Sequence, residues 1–172
     1  EGGWGGFSAA AYFFGRELHK ELRVPVGVIA SSWGGTRIEP WTPAEAFADM
    51  PVFKKITRQI RQAGPNHEKA LANAVVQYEA WLPKARQALD EHKPVPAPAA
   101  WPKHPLCSES SPTGLYNGMI HPLIPLAIRG VIWYQGESNH TDGPKYTDMM
   151  KALVAGWRKA WGEGEFPFYY VQ

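Results

Sequence analysis

The sequence predicts an α/β protein built around a parallel sheet, and three observations carry that expectation. Short apolar runs with β-branched and aromatic members occur at residues 24–30, 128–134 and 166–172, each suited to a buried strand. Stretches of helical periodicity separate them, which calls for crossover connections and strands running in one direction. Two of the runs stop abruptly in small and polar residues, as Ser31-Ser32-Trp33-Gly34-Gly35-Thr36 and as Gln135-Gly136-Glu137-Ser138-Asn139. Open parallel sheets place their chemistry at such carboxyl ends. Three strands are few for a sheet covered on both faces, so the sheet is expected to be incomplete at both ends in this chain.

The first glycines, Gly2 to Gly6, read as a loop, and Ser8 caps a helix over residues 9–22. Ala9, Tyr12 and Phe13 oppose Arg16, Glu17 and Lys20 on that helix, and Pro25 prevents its continuation into the strand at 26–30. Thr42 and Pro43 suit the cap and first position of a short helix through Met50. A second helix then runs to about Ala63 and breaks at Gly64-Pro65. Residues 68–92 carry the longest helical pattern, with Pro83 expected to kink or divide it near Leu82. Its polar content suggests an arm lying over a surface.

Residues 93–102 form a proline-rich extended connector that continues as loop to about Pro112. A short apolar helix over 119–127 is interrupted by Pro122 and Pro125, and the strand around Trp133 follows. Gly143-Pro144 opens a helix over 145–161, whose Met149, Leu153, Trp157 and Ala160 make an apolar stripe. The domain expectation is one α/β domain over residues 1–172, or the central part of one. A helical excursion at about 43–92 and a connector at about 93–112 leave and rejoin it.

A chain of 172 residues and 19.2 kDa supports one hydrophobic core. Its apolar share of 44%, with eight tryptophans, argues for a packed core over disorder. The formal charge of +2 arises from 18 basic and 16 acidic side chains mixed along the sequence, which gives no electrostatic reason to expect nucleic acid. Cys107 is the only cysteine, so an intrachain disulfide and a four-thiolate zinc site are both excluded. No stretch has the apolar length of a membrane span, and no signal peptide begins the chain. Both ends read as the interior of a longer chain, since there is no initiator methionine and the last residues look like strand.

The glycine loop at 34–35 can present backbone N–H groups to an anion. It lacks the lysine of a phosphate loop and the spaced glycines of a dinucleotide fingerprint. Oxyanion stabilisation and an ordinary strand-to-helix turn both remain open. Gln135 can donate an amide N–H to charge developing on a carbonyl oxygen, while Glu137 can orient a neighbour, bind a sugar hydroxyl or cap the next element. Gly136-Glu137-Ser138 starts like a nucleophile elbow, but His140 stands where the second glycine belongs. Ser138 is therefore a capping serine or a nucleophile, with His140 or His121 as the bases to test. The six histidines offer no compact metal set. Trp33, Trp41, Trp133 and Tyr134 build either a sugar-stacking wall or core.

Ser31-Ser32-Trp33-Gly34-Gly35-Thr36 with Glu39 and Trp41, and then Trp133-Tyr134-Gln135-Gly136-Glu137-Ser138-Asn139, resemble the sialate O-acetylesterase family, carbohydrate acetylesterases of the wider SGNH or GDSL-like hydrolases. The stretches at 7–22, 114–119 and 166–172 are similar to it as well. The resemblance implies a three-layer sandwich around a parallel sheet and hydrolysis of acetyl esters on sugars by serine-hydrolase chemistry, without cofactor or metal. It implies oxyanion stabilisation by Gly34, Gly35 and Gln135. Trp33, Arg37, Glu39, Trp41, Glu137 and Asn139 would support the loops or touch substrate. It also implies a secreted or periplasmic bacterial setting and an acetylated carbohydrate as partner.

The family's Gly-Gln-Ser-Asn nucleophile block and its Asp-x-x-His block do not occur in this sequence. The expectation is a central segment whose nucleophile and base come from remaining segments of the same protein or from a companion chain. Two alternatives stand beside it. One is a catalytically silent carbohydrate-binding or scaffold fragment, and the other a shortened esterase using Ser138.

Overall fold

The computed structural model describes residues 6–48 and 50–171; most of the glycine loop expected at 2–6, and Gln172, the end of the strand expected at 166–172, lie outside them. Helix α1 occupies Ala9–Leu22, and the Ser8 hydroxyl oxygen accepts from the Ala11 N–H at 3.3 Å. Arg23 ends the helix with a left-handed backbone, φ 56°, and donates its N–H to the His19 carbonyl. The chain then turns back, and Val26 and Val28 pack against the Gly15 face of α1.

The sheet holds two parallel strands among the described residues, β1 at Val131–Trp133 and β2 at Phe168–Tyr170. Val131 pairs with Phe168, Ile132 with Tyr169 and Trp133 with Tyr170. Helix α4, Pro144–Trp161, forms the crossover between them. The architecture is thus mixed α/β with a small parallel sheet and several helices. Residues 26–30, expected as a third strand, stay outside the sheet. Strand propensity needs a hydrogen-bonding partner to become a strand; here Val26 and Val28 touch α1 at Gly15, while Ile29 stays 53% exposed.

A second difference concerns the arm. Helix α2 covers Ala44–Ala48, and α3 runs unbroken over Lys54–Asp90 through both Pro65 and Pro83. Each proline removes one bond and crowds the carbonyl four residues back. Both prolines are exposed, so water can reach the groups they disturb, and the remaining bonds of a 37-residue helix carry the chain through. Thr42 caps nothing ahead of it: its hydroxyl donates backward to the Ile38 carbonyl at 3.0 Å. The expected helix over 119–127 is a π turn at Tyr116–Ile120 followed by a 3-10 turn at His121–Leu123.

The connector returns along α3. Tyr78 Oη donates to the Ala99 carbonyl at 2.9 Å, and Trp81 Nε1 donates to the Pro96 carbonyl at 2.7 Å. A proline-rich extended segment has no internal hydrogen bonds, so its carbonyls are free to accept from helix side chains.

The core lies where α2, the start of α3, α4 and the sheet meet, with Ile38, Phe47, Phe53, Met149 and Leu153 fully enclosed. The stripe expected on α4 faces it. Trp133 stands edge-on to Trp41 (6.0 Å, 86°) and to Trp157 (5.8 Å, 90°). Such pairs add about 0.5–1.5 kcal/mol each beyond the area they bury. Trp157 Nε1 donates to the Trp41 carbonyl at 2.9 Å, which fixes the segment after the glycine loop against α4.

Candidate functional site

At the carboxyl end of β1 the chain leaves the sheet, and Gly136 opens a 3-10 turn over Glu137–Asn139. The glycine loop at 31–36 meets this turn across about a hundred residues of sequence. Ser138 Oγ donates to the Gly35 carbonyl at 3.0 Å, and Gln135 Nε2 donates to the Thr36 carbonyl at 3.0 Å. Thr36 Oγ1 in turn donates to the Trp33 carbonyl (2.7 Å) and accepts from Trp41 Nε1 (3.0 Å).

Asn139 is the node of this arrangement, with 2% of its surface exposed. Its Oδ1 accepts from the Ile38 N–H and from Gln135 Nε2, both at 2.9 Å. Its Nδ2 donates to Asp142 Oδ2 at 2.8 Å and to Glu39 Oε2 at 3.2 Å. The amide has two donors and an oxygen with two lone pairs, and every one of them is used.

Arg37 closes the same network from the rim. It binds Glu39 through Nε and Nη2, Asp142 through Nη2 at 2.6 Å, and the Ser138 carbonyl through Nη1 at 2.9 Å. Its hydrogen bonds to Glu39 hold the guanidinium more firmly protonated than usual, against a smaller opposing effect of burial. Burial alone would raise the Asp142 carboxyl. The Asn139 hydrogen bond and the charges of Arg37 and Lys145 outweigh it and hold that group below its ordinary value.

The glycines present something different. Gly35 has φ 74° and Gly34 stands beside it in the same turn. Both are exposed, and neither backbone N–H donates to an acceptor among the described residues. The Gln135 amide is committed inward: both its hydrogens go to Thr36 and Asn139, and its Oε1 and backbone carbonyl accept from Tyr146 Oη at 2.9 and 3.0 Å. Burial, with the Glu137 charge, pushes the Tyr146 hydroxyl above its ordinary pKa. The indole N–H of Trp133 opposes this from nearby, yet it falls short of hydrogen-bond geometry and stays buried without a partner. The Ser31 hydroxyl oxygen, just before the glycine loop, is also buried and unpartnered.

Ser138 and the two histidines weighed with it do not converge. His140 Nδ1 donates to the Glu137 carbonyl at 2.8 Å. His121 lies edge-on to Tyr116, 5.9 Å away, and lines a groove with Pro43, Glu45 and Lys151 that includes no residue of the 135–142 loop. Among the described residues no histidine hydrogen-bonds Ser138, and no group of three His, Cys, Asp or Glu side chains could hold a metal ion.

Of the four aromatic residues proposed as wall or core, Trp41 and Trp133 are core, at 3% and 9% exposed. Trp33 and Tyr134 stand out beside the loops, at 53% and 75%. The Glu137 side chain is exposed and makes no hydrogen bond among the described residues. Sequence reasoning missed Asp142, Thr36 and Tyr146. Asn139 and Asp142 three residues apart, just before Gly143-Pro144, was the available signal for the first. Thr36 meets Gln135 across 99 residues and Tyr146 meets it from 11 residues further on, pairs that no motif marks.

A family model described as carbohydrate esterase, sialic acid-specific acetylesterase, matches residues 101–172. The sialate O-acetylesterase of Rattus norvegicus is 35% identical over 173 residues, 96% of this chain and 29% of that protein. That of Homo sapiens is 31% identical over 175 residues, 96% of this chain and 25% of that protein. A crystal structure of a novel carbohydrate acetylesterase from Xanthomonas citri superposes with a TM-score of 0.59 and 31% identity, covering 96% of this chain and 26% of that one. The chain therefore spans less than a third of the length of these relatives.

Proposed function

Because the chain matches the sialate O-acetylesterases at the level of the family over most of its length, we propose that it furnishes the oxyanion-binding part of a carbohydrate O-acetylesterase. The match supports carbohydrate-esterase function in general; the acetylated sialic acid or other sugar and the serine chemistry are the finer reading. In that reading a serine oxygen attacks the acetyl carbonyl carbon while a histidine takes its proton. The carbonyl electron pair moves onto oxygen. Collapse breaks the ester C–O bond, and the sugar oxygen takes the proton back from the histidine. Water, deprotonated by the same histidine, then attacks the acetyl carbon; the bond from that carbon to the serine oxygen breaks, the serine oxygen takes the proton from the histidine, and acetate leaves.

The observation that carries this proposal is the pair of unspent N–H groups on Gly34 and Gly35, exposed on a loop that Ser138 and Gln135 hold in place. Preorganised donors of this kind act on the charge that develops in the transition state. Gln135 adds its own N–H only by releasing Thr36 or Asn139, so the glycines take the main part and Gln135 the bracing. Trp33 and Tyr134 would offer faces to the sugar, and Arg37, Glu39, Trp41 and Asn139 would keep the loops in register. Nucleophile and base come, in this proposal, from other segments of the same protein or a companion chain. Strands from the same source would extend the two-stranded sheet into the three-layer sandwich.

The test uses the natural protein that carries this sequence and an O-acetylated sialic acid. Gly34 has open space at its Cβ position and no left-handed φ, so Gly34→Ala keeps the N–H and should keep activity. Gly34→Pro removes the N–H and should lower kcat by about 10²–10³. Equal activity in the two variants would contradict the role. A second reading is a silent carbohydrate-binding scaffold, supported by the exposed rings of Trp33 and Tyr134 beside the loops. Sugar binding without acetate release would support it.

A further inference from the structure

The side chains that join the two loops form a chain of amides whose direction the backbone dictates. The Ile38 N–H can only donate, so Asn139 turns Oδ1 toward it, at 2.9 Å. That same oxygen faces Gln135, which must answer with Nε2, also at 2.9 Å. The Thr36 carbonyl can only accept, and it takes the second hydrogen of Nε2 at 3.0 Å. Gln135 Oε1 is then left facing the other way, and only a donor can stand against it. Reversing either amide sets like groups face to face, so the chain is complete only when that last acceptor is supplied.

Tyr146, in the first turn of α4, supplies it. Its Oη shares one hydrogen between Gln135 Oε1 at 2.9 Å and the Gln135 backbone carbonyl at 3.0 Å. No other described residue donates to that Oε1. The hydroxyl lies against Gly136, where a Cβ would stand 3.5 Å from Oη. Close by is the indole N–H of Trp133, a residue 9% exposed whose donor has no partner. A donor nearby and two acceptors on Gln135 give the hydroxyl hydrogen one direction to take.

We propose that Tyr146 is a positioning residue for ester hydrolysis: its hydroxyl fixes the Gln135 amide, and through the bond from Gln135 to Thr36 it fixes the Gly34 and Gly35 donors. The inference rests on the esterase reading above and adds to it a residue that acts through another. Without the hydroxyl, Gln135 Oε1 turns toward water and Nε2 leaves the Thr36 carbonyl. The Ser138 bond is then left to hold the Gly35 carbonyl.

The test uses the natural protein that carries this sequence and an O-acetylated sialic acid, at a temperature where circular dichroism shows every variant folded. Tyr146→Phe keeps the ring and drops the hydroxyl. It should lower kcat about tenfold, less than the outright loss of an oxyanion donor, and leave KM within about twofold of the wild type. Gln135→Met, similar in length but without the amide, should lower kcat by a similar factor. The double variant should fall no further, because the two residues act as one chain. An unchanged kcat in Tyr146→Phe overturns the proposal. So does a change confined to KM, or a double variant that loses the product of the two single factors. Should Tyr146→Phe fail to fold, Gln135→Met decides: a lowered kcat upholds the chain and an unchanged one overturns it. A wild type that releases no acetate overturns the esterase reading instead. The positioning is then decided by a crystal structure of Tyr146→Phe, in which a turned Gln135 amide upholds it and an Nε2 still bonded to Thr36 and Asn139 overturns it.

Discussion

The side-chain oxygen of Asn139 accepts the backbone N–H of Ile38 at 2.9 Å, a hydrogen bond between residues 101 positions apart. It ties the turn after β1 to the segment after the glycine loop, and the remaining capacity of the same amide is spent on Gln135, Glu39 and Asp142. Removing it with Asn139→Ala leaves several buried groups without partners. An orphaned group of this kind costs about 1–3 kcal/mol, so denaturant unfolding should show a loss on the order of 3 kcal/mol. A loss under about 0.5 kcal/mol, the usual range for surface changes, would mean that the network is not holding the loops.

The same network should make stability depend on acid. The Asp142 carboxyl is depressed in the folded chain, so its contribution is fully present above the ordinary carboxylate value of about 4. It is lost as pH falls through the lower folded value. Thermal unfolding between pH 7 and pH 3 should therefore fall more steeply for the wild type than for Asp142→Asn. Parallel curves would show that Arg37 and Asn139 do not depress this group.

Helices α2 and α4 touch through Gly156. A Cβ there would meet Pro43 Cγ at 2.5 Å and Ala46 Cβ at 2.9 Å. Gly156→Ala should therefore push the helices apart and cost about 1–3 kcal/mol, the range for overpacking a core. Unchanged or raised stability, as the better helix propensity of alanine alone would give, would show that this contact yields freely.

The connector is held by two aromatic donors, so Trp81→Phe, which keeps the ring and drops the indole N–H, should loosen it. Lys93 precedes a proline, and Lys103 is the tryptic site the connector offers. Cleavage after Lys103 should speed up several-fold in Trp81→Phe and further in Tyr78→Phe/Trp81→Phe. Equal rates would mean that the carbonyl bonds at Pro96 and Ala99 contribute little.

Local signals were the readable ones. The bounds and the Ser8 cap of α1, the apolar stripe of α4 and the parallel pair of β1 and β2 all follow from patterns within a few residues. The unbroken α3 was not readable, because whether a proline stops a helix depends on what surrounds it. Residues 26–30 look like a strand and lack a strand partner. In the site, the two loops were visible as loops, but their union through Asn139, Thr36 and Asp142 joins residues about a hundred positions apart. Trp33 and Trp41 look alike in sequence, and only packing separates the exposed one from the buried one.

The central claim is that these loops serve ester hydrolysis by a serine other than Ser138. Its most direct test is peptide mapping of the natural protein after reaction with a serine-directed phosphonate, with and without an O-acetylated sialic acid as competitor. The account predicts one labelled serine, protected by the acetylated sugar, at a position other than Ser138. Label on Ser138, or no sugar-protected label anywhere, would contradict it.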